Sequence, residues 1–141
     1  MKERGMIFNG EMVRAILGGR KTQTRRPIKW KQTRFTEIGE REDGSKWPWS
    51  EDAEHACDFW HPCPFGAVGD RIWVREAFRV HSRATDVATL VYKASERNSW
   101  TEQTRRVPVA VCNKPATPEK WTPSLHMPRW ASRILLEITD V

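Results

Sequence analysis

The chain has 141 residues, of which 38% are hydrophobic and 30% charged, and its formal net charge is +6. This length predicts one domain with a single modest core, and the composition excludes a largely disordered chain. No segment approaches the ~18 apolar residues of a membrane span and no apolar signal core follows the N-terminus, so we expect a cytoplasmic protein with no membrane partner. The excess of positive charge favours anionic partners, nucleic acid first.

The first predicted element is an amphipathic helix that ends at two glycines. Four apolar residues recur at helical spacing: Met12, Val13, Ile16 and Leu17. Gly18 and Gly19 should stop this helix, because glycine adopts the left-handed conformation that a helix C-cap requires, and Pro27 cannot continue one. The residues between them are therefore expected in an exposed turn.

This turn begins a run of positive charge. From Gly18 to Thr36 there are seven Lys or Arg residues and no Asp or Glu, with two aromatic residues inside the run. Cations with interleaved aromatic residues are typical of nucleic-acid binding, although a solvated basic turn is the simpler interpretation. Lys21, Thr22 and Thr24 could gather an ammonium group, hydroxyls and backbone N–H groups around one anionic or carbonyl-bearing ligand. The candidate ligand-binding residues of the turn are Arg20, Thr22, Arg25 and Arg26.

The sign of the charge reverses after the basic run. Residues 37–54 hold seven acids against two bases and show no clear helix or strand period. We expect an irregular acidic insertion over about residues 37–62, either a surface loop or a segment that competes with nucleic acid for the basic run. Four potential zinc ligands lie between His55 and Cys63, but their spacing is poor for a structural site, so neither a metal nor another cofactor is expected.

Apolar and polar residues alternate from Asp70 to Val80, and this pattern predicts a strand. Ile72 and Val74 fall on its apolar face. Trp73 and Arg75 fall on the opposite face, where both are candidate ligand-binding residues.

Glu76 falls on the apolar face of this strand, where a carboxylate needs a partner or a pocket. One interpretation is an ion pair with an arginine such as Arg25 or Arg75. The other is a catalytic carboxylate near Lys21, which it would orient or deprotonate.

Three further strands are predicted in the second half of the chain. They are Thr89–Ala94, Arg105–Cys112 and Ile134–Val141. The second contains Pro108 and is therefore expected at a sheet edge.

A proline-bracketed loop, Pro123–Trp130, precedes the last strand. It offers a hydroxyl, an imidazole, a guanidinium and an aromatic face: Ser124, His126, Arg129 and Trp130. Loops with such side chains commonly carry binding, although a structural role for His126 stays open. Most tryptophans should fill the core, and three are retained as stacking platforms: Trp30, Trp73 and Trp130.

Three stretches of this chain together resemble the ASCH family, most closely its phage- and prophage-encoded members. They are Gly19–Arg26, Gly69–Glu76 and Pro123–Arg133, in the order the family has them. The resemblance implies an α+β, mostly β fold: a PUA-like small β-barrel with flanking helices, formed by residues 1–141 as a single domain. It also implies a protein of the bacterial host cytoplasm whose basic cleft at the barrel mouth binds RNA, a nucleoside or a modified base.

The resemblance further implies a chemistry. A family amidohydrolase that deacetylates N4-acetylcytidine uses a lysine, a threonine and a glutamate, which implies Thr24 as nucleophile and Lys21 as its base or activator. The family's glutamate lies beyond the strand at which this chain ends, so either Glu76 substitutes or the chain is a truncated relative that binds without hydrolysing. Single-stranded RNA or a modified nucleoside is thus the expected partner. The alternatives are a small amidohydrolase or ribonuclease, and an accessory protein that acts on a host protein.

Overall fold

The structure is a computed structural model that describes residues 2–26, 36–44, 46–52, 57–60 and 63–141. The chain forms two compact units, Met1–Gln23 with Gly66–Val141 and Thr24–Phe65, where length alone predicted one domain. Within the described ranges no helix has the length and apolar character needed to cross a membrane.

Nine strands and two α-helices are described. In chain order they are β1 (Glu3–Ile7), α1 (Gly10–Leu17), β2 (Thr36–Glu40), β3 (Lys46–Asp52), β4 (Cys57–Trp60), β5 (Arg71–Arg75), β6 (Phe78–Arg83), β7 (Val87–Tyr92), α2 (Trp100–Gln103), β8 (Thr104–Pro108) and β9 (Leu135–Glu137). Short 3₁₀ helices occupy Lys93–Ser95, Ser124–His126 and Arg129–Ala131. The strands form three three-stranded sheets, β1-β5-β9, β2-β3-β4 and β6-β7-β8, and no closed barrel is formed among the described strands. The fold is therefore a small α+β fold, mostly β.

The helix α1 begins and ends as its sequence predicts. The side chain of Asn9 accepts a hydrogen bond from the backbone N–H of Met12 at 2.9 Å, which caps the N-terminus. Gly19 has a φ of 74°, the left-handed conformation that ends the helix at the predicted glycine pair. Val13 is fully buried and belongs to a core cluster with Phe8 and Val74.

The second unit contains the antiparallel sheet β2-β3-β4, which corrects the irregular insertion expected over about residues 37–62. Trp49 lies opposite Trp60 in the β3–β4 register. The guanidinium of Arg41 lies 4.8 Å from the ring centroid of Trp47 and 5.7 Å from that of Trp60. Aromatic and cation–π contacts join these strands. The strands were not predicted because this acidic, proline-containing segment shows no alternation of aliphatic and polar residues.

In the first unit, β5 and β6 form one almost continuous line of chain shared by two sheets. β5 is the central strand of β1-β5-β9, and β6 is an edge of β6-β7-β8. Buried and half-buried residues alternate without a break from Arg71 to Val80, as predicted, although the strand itself is interrupted at Glu76 and Ala77. This line of chain positions the side chains described below.

Of the three further strands predicted, one is shifted along the chain and two are shorter than expected. The strand predicted over Thr89–Ala94 is β7, which runs two residues earlier and is followed by a 3₁₀ helix. The strand predicted over Arg105–Cys112 is β8, which ends at Pro108 on the edge of its sheet, where proline was expected to place it. The last strand covers only Leu135–Glu137, since β5 pairs with three residues there. The prediction from β-branched composition alone overestimated the length of this strand.

Candidate nucleic-acid interface

Trp73 lies on the outer face of the sheet β1-β5-β9 beside two arginine side chains. The Cζ atom of Arg75 is 5.3 Å from the indole centroid, and that of Arg129 is 6.0 Å from it. Both distances are within cation–π range. Arg129 begins the last 3₁₀ helix, so the structure brings together candidate residues that the sequence placed on a strand and on a distant loop.

Gly5 allows the indole to lie against the neighbouring strand. Gly5 is opposite Trp73 in the parallel register of β1 and β5. A Cβ atom added at Gly5 would lie 2.6 Å from Cζ2 of Trp73, a distance that real Cβ atoms essentially never show. The position of the Trp73 ring therefore depends on glycine at residue 5.

Arg75 connects β5 to the proline-bracketed loop. Its Nη2 donates a hydrogen bond to the backbone carbonyl of Leu125. Leu125 is exposed, and of its neighbours on the loop Ser124 is half-buried and His126 exposed. The candidates Ser124 and His126 thus lie next to the arginine–tryptophan group, although no contact between them and Trp73 is described.

Arg129 is oriented by an exposed ion pair. Its Nε donates to Oε1 of Glu3 at 3.0 Å, and the two side chains are 48% and 44% exposed. An ion pair of this exposure contributes at most about 1 kcal/mol. The guanidinium of Arg129 can therefore exchange this carboxylate for a phosphate at small cost.

Apolar side chains complete this surface. Ile7 and Leu135 are exposed and lie opposite Arg75 and Trp73 in the strand registers. An open sheet face that combines an indole, guanidinium groups and aliphatic side chains has the composition of a stacking platform for unpaired bases.

Trp130, a predicted stacking platform, packs partly buried against the core. Its ring meets that of Phe78 edge-on, with centroids 6.5 Å apart and an interplanar angle of 88°. It packs against the core cluster around Phe78 and Leu90, so one side of its ring is covered by the core. Trp30, the third predicted platform, lies outside the described residues.

Glu76, the predicted catalytic carboxylate, is held in a buried ion pair. It is 2% exposed, and its two oxygens accept hydrogen bonds from Nε and Nη2 of Arg133 at 3.0 and 2.9 Å. Burial raises the pKa of Glu76 above its usual value, although the hydrogen bonds and the positive charge of Arg133 act in the opposite direction. The expected ion pair is present, and its arginine is Arg133, not Arg25 or Arg75.

Arg133 links this carboxylate to two further groups. Its Nη2 donates to the hydroxyl of Ser95 at 3.0 Å, and its Cζ lies 4.2 Å from the ring centroid of Tyr92. The phenol of Tyr92 donates to the carbonyl of Ala131 at 2.7 Å. Glu76 therefore belongs to a buried network that joins the β5–β6 break to the last loop, which is a structural role.

Glu76 also lines a cleft of about 410 Å³ at the start of α1. The charged side chains around it are balanced: Arg14 and Lys93 are cationic, and Glu11 and Glu96 are anionic. Lys21 is not among its lining residues. The cleft therefore gives no support to a Lys21–Glu76 catalytic pair.

Arg20, Lys21 and Thr22 line a different cleft, of about 440 Å³, along the last turns of α1. The backbone N–H groups of Arg20 and Lys21 both donate to the carbonyl of Ala15, at 2.9 and 3.1 Å. These donors complete the helix C-cap, so these two backbone N–H groups are already engaged within the chain. Arg129 does not line this cleft, so it is not the joint pocket predicted from the early turn and the late loop.

The remaining candidates of the basic run fall in the second unit. Thr24 and Arg25 are exposed and Arg26 is half-buried. The proposed nucleophile Thr24 and its activator Lys21 thus belong to different compact units.

Of the potential zinc ligands, His55 and His61 lie outside the described residues. Within the described parts of the chain, no group of three His, Cys, Asp or Glu side chains is arranged to hold a metal ion. Cys112 is buried in the core, and Cys63 is exposed.

Sequence reasoning missed two residues of the Trp73 surface. Glu3 and Gly5 lie on β1, and nothing in their local pattern shows that β1 pairs in parallel with β5. The short approach of Gly5 to Trp73 is a consequence of that pairing.

Comparison of the chain with protein families, characterised proteins and solved structures gave no match. The class defined by the fold and the site is therefore a small, mostly β protein that presents a cation–aromatic surface on an open sheet. The function is argued below from that surface.

Proposed function

We propose that this protein binds single-stranded nucleic acid, RNA first, on the outer face of β1-β5-β9. The observation that carries the proposal is the position of two guanidinium groups, Arg75 and Arg129, at 5.3 and 6.0 Å from the indole of Trp73. Unpaired bases stack on such an indole, and the guanidinium groups neutralise the phosphates on either side of a stacked base. The net charge of +6 attracts the same polyanion at longer range.

An open face favours a polymer over a single nucleoside. A nucleoside carries no phosphate, so it would gain nothing from Arg75, Arg129 and the excess of basic residues. A duplex is also a poor partner, because its bases are already stacked and paired. A single strand is therefore favoured over a modified nucleoside and over a duplex.

We also propose that the chain is a relative of the ASCH family with a PUA-like fold. The three motif stretches support this relationship, and so does the line of chain shared by the sheets β1-β5-β9 and β6-β7-β8, which a partly open barrel would contain. Hydrolysis is not part of the proposal, because both carboxylate oxygens of Glu76 are held by Arg133.

The proposal is tested by fluorescence anisotropy with a labelled single-stranded RNA, the DNA of the same sequence and the corresponding duplex. We expect Trp73→Leu to weaken RNA binding by about 1–3 kcal/mol, the usual contribution of one stacked base. Arg129→Gln should weaken it about fivefold and reduce the salt dependence by about one phosphate contact.

Arg97→Gln is the matched control, because it removes the same charge from an exposed residue in a turn of the same unit. It should change affinity much less than Arg129→Gln. If no nucleic acid binds at physiological salt, the proposal is wrong and a host-protein partner becomes the better hypothesis.

A further inference from the structure

The outer face of β5 continues along β6. From Arg71 to His81 the odd-numbered residues are half-buried, and the even-numbered residues up to Val80 are buried. This alternation passes through the break at Glu76 and Ala77, so the odd-numbered side chains stay on one face as far as Arg79. The β6–β7 register shifts between Val80 and Ser82, and His81 lies at this shift. Beyond the Trp73 group, that face carries Arg79, and His81 follows it.

A second cation–aromatic group lies at the β6 end of this face. The Cζ atom of Arg79 is 4.4 Å from the ring centroid of Trp121. The ring of His81 meets that of Trp100 at 4.9 Å and 74°. Nε of Arg79 and Nδ1 of His81 are buried and have no hydrogen-bond partner among the described residues.

The loop that carries Trp121 and Arg129 runs antiparallel to this line of chain, so the two groups share one border. Four hydrogen bonds fix its course. They run from the Thr117 N–H to the Val80 carbonyl (2.9 Å), in both directions between Phe78 and Thr122 (3.2 and 2.7 Å), and from Arg75 to the Leu125 carbonyl. Trp121 therefore lies beside Arg79 in the same way that Arg129 lies beside Trp73.

We infer that the nucleic-acid surface is a track from Trp73 to His81 that holds several consecutive nucleotides of one strand. This inference rests on the function proposed above and specifies the length of its ligand. Eight residues of extended chain span about 26 Å, and small folds that bind single strands cover roughly 4–16 nucleotides. Along the track Arg75 and Arg79 neutralise phosphates, while bases stack at Trp73 and near Trp121.

Two carboxylate residues lie on the strands beside the Arg71 end of this face. Glu3 and Glu137 are both opposite Arg71 in the strand registers, one on each side. Arg71 is therefore flanked by a carboxylate residue on each neighbouring strand, whereas no carboxylate is described in contact with Arg79. Arg71 thus provides a control of the same residue type on the same line of chain.

Length dependence tests the track. We measure binding of oligouridylates of about three, six and nine nucleotides, which bracket the lower site sizes of single-strand binders. Affinity should rise from the shortest to the middle length. Arg79→Gln should weaken binding of the middle length about fivefold, as expected for one lost phosphate contact, and that of the shortest at most about twofold. Arg71→Gln should change both little.

A second measurement needs no variant. Oligonucleotides that carry a photoreactive uridine should crosslink to peptides containing Trp73 and to peptides containing Trp121 or Trp100. Crosslinks confined to the Trp73 peptide, or wild-type affinity of Arg79→Gln for the middle length, would overturn the track and leave the proposed function standing. Failure of the wild-type protein to bind any length would overturn both.

Discussion

Glu76 and Arg133 form a two-hydrogen-bond ion pair at the point where one sheet of the first unit passes into the next. The carboxylate is almost completely buried, and the arginine comes from the loop before β9. The break between β5 and β6 is thereby held by a residue 57 positions away in the chain. The geometry of the proposed track depends on this pair, since Trp73 lies on one side of the break and Arg79 on the other.

Arg133→Met should destabilise the protein by about 3 kcal/mol, because removing one partner leaves a buried charge without compensation. Urea unfolding at neutral pH measures the loss. Without the guanidinium, burial alone acts on the carboxyl and raises the pKa of Glu76 further. A raised folded-state pKa gives stability at low pH that is lost as the pH rises, so the deficit of the variant should shrink on acidification.

The double variant Glu76→Leu/Arg133→Met is the control for this prediction. It removes both charges and should recover part of the lost stability. If Arg133→Met unfolds at the same urea concentration as the wild type, the pair does not hold the break.

Tyr92 should ionise late. It is the single tyrosine of the chain, and burial raises its pKa to about 12, although Arg105 and Arg133 oppose the rise. The protein therefore has stability below pH ~10 that is lost as the pH rises toward about 12, by up to about 2–3 kcal/mol. Near-ultraviolet absorbance of tyrosinate follows this one residue. Ionisation near pH 10 in the folded protein would contradict the buried hydrogen bond to Ala131.

Gly5→Ala should displace the Trp73 indole, because the added methyl group would lie 2.6 Å from Cζ2. Overpacking of this kind costs about 1–3 kcal/mol, and RNA affinity should fall with it. Thermal unfolding and anisotropy measure the two effects.

Gly10→Ala is the matched control for the glycine substitution. Its Cβ would meet the flexible guanidinium of Arg14 at 3.1 Å, and alanine favours the helix. It should be neutral or stabilising. Equal losses in the two variants would mean that the effect of Gly5→Ala is not steric.

Glu3→Gln should tighten RNA binding, because it releases Arg129 and removes a negative charge from the surface. We expect a gain of about threefold to tenfold at low salt, and little gain once salt screens the charges. Titrations at two ionic strengths measure the difference. Glu96→Gln, an exposed carboxylate outside this surface, should gain less. Equal gains in both variants would attribute the effect to net charge alone.

Local patterns predicted the local structure of this chain. The apolar period around Met12 gave α1, the glycine pair gave its end, and alternation between Asp70 and Val80 gave the β5–β6 line and the buried position of Glu76. Each of these depends on residues that are close in sequence, where propensity and periodicity act.

The structural features that the sequence did not predict depend on contacts between residues that are distant in the chain. The partner of Glu76, the parallel pairing of β1 with β5, and the alignment of the Trp121 loop with β6 all join distant positions. The strands of the second unit were missed for another reason, since tryptophan, proline and acidic residues give them no aliphatic period. For the same reason, counting aromatic residues could not separate Trp73 from Trp130.

The order of strands in β1-β5-β9 affects how the protein acquires its binding surface. β1 lies beside β5 and β5 beside β9, and Arg129 reaches Glu3 across 126 positions. During synthesis the ribosome must therefore deliver almost every residue before this sheet can close. Such high contact order makes its formation slow. A nascent chain would expose the basic turn after α1 well before it could bind an RNA at Trp73.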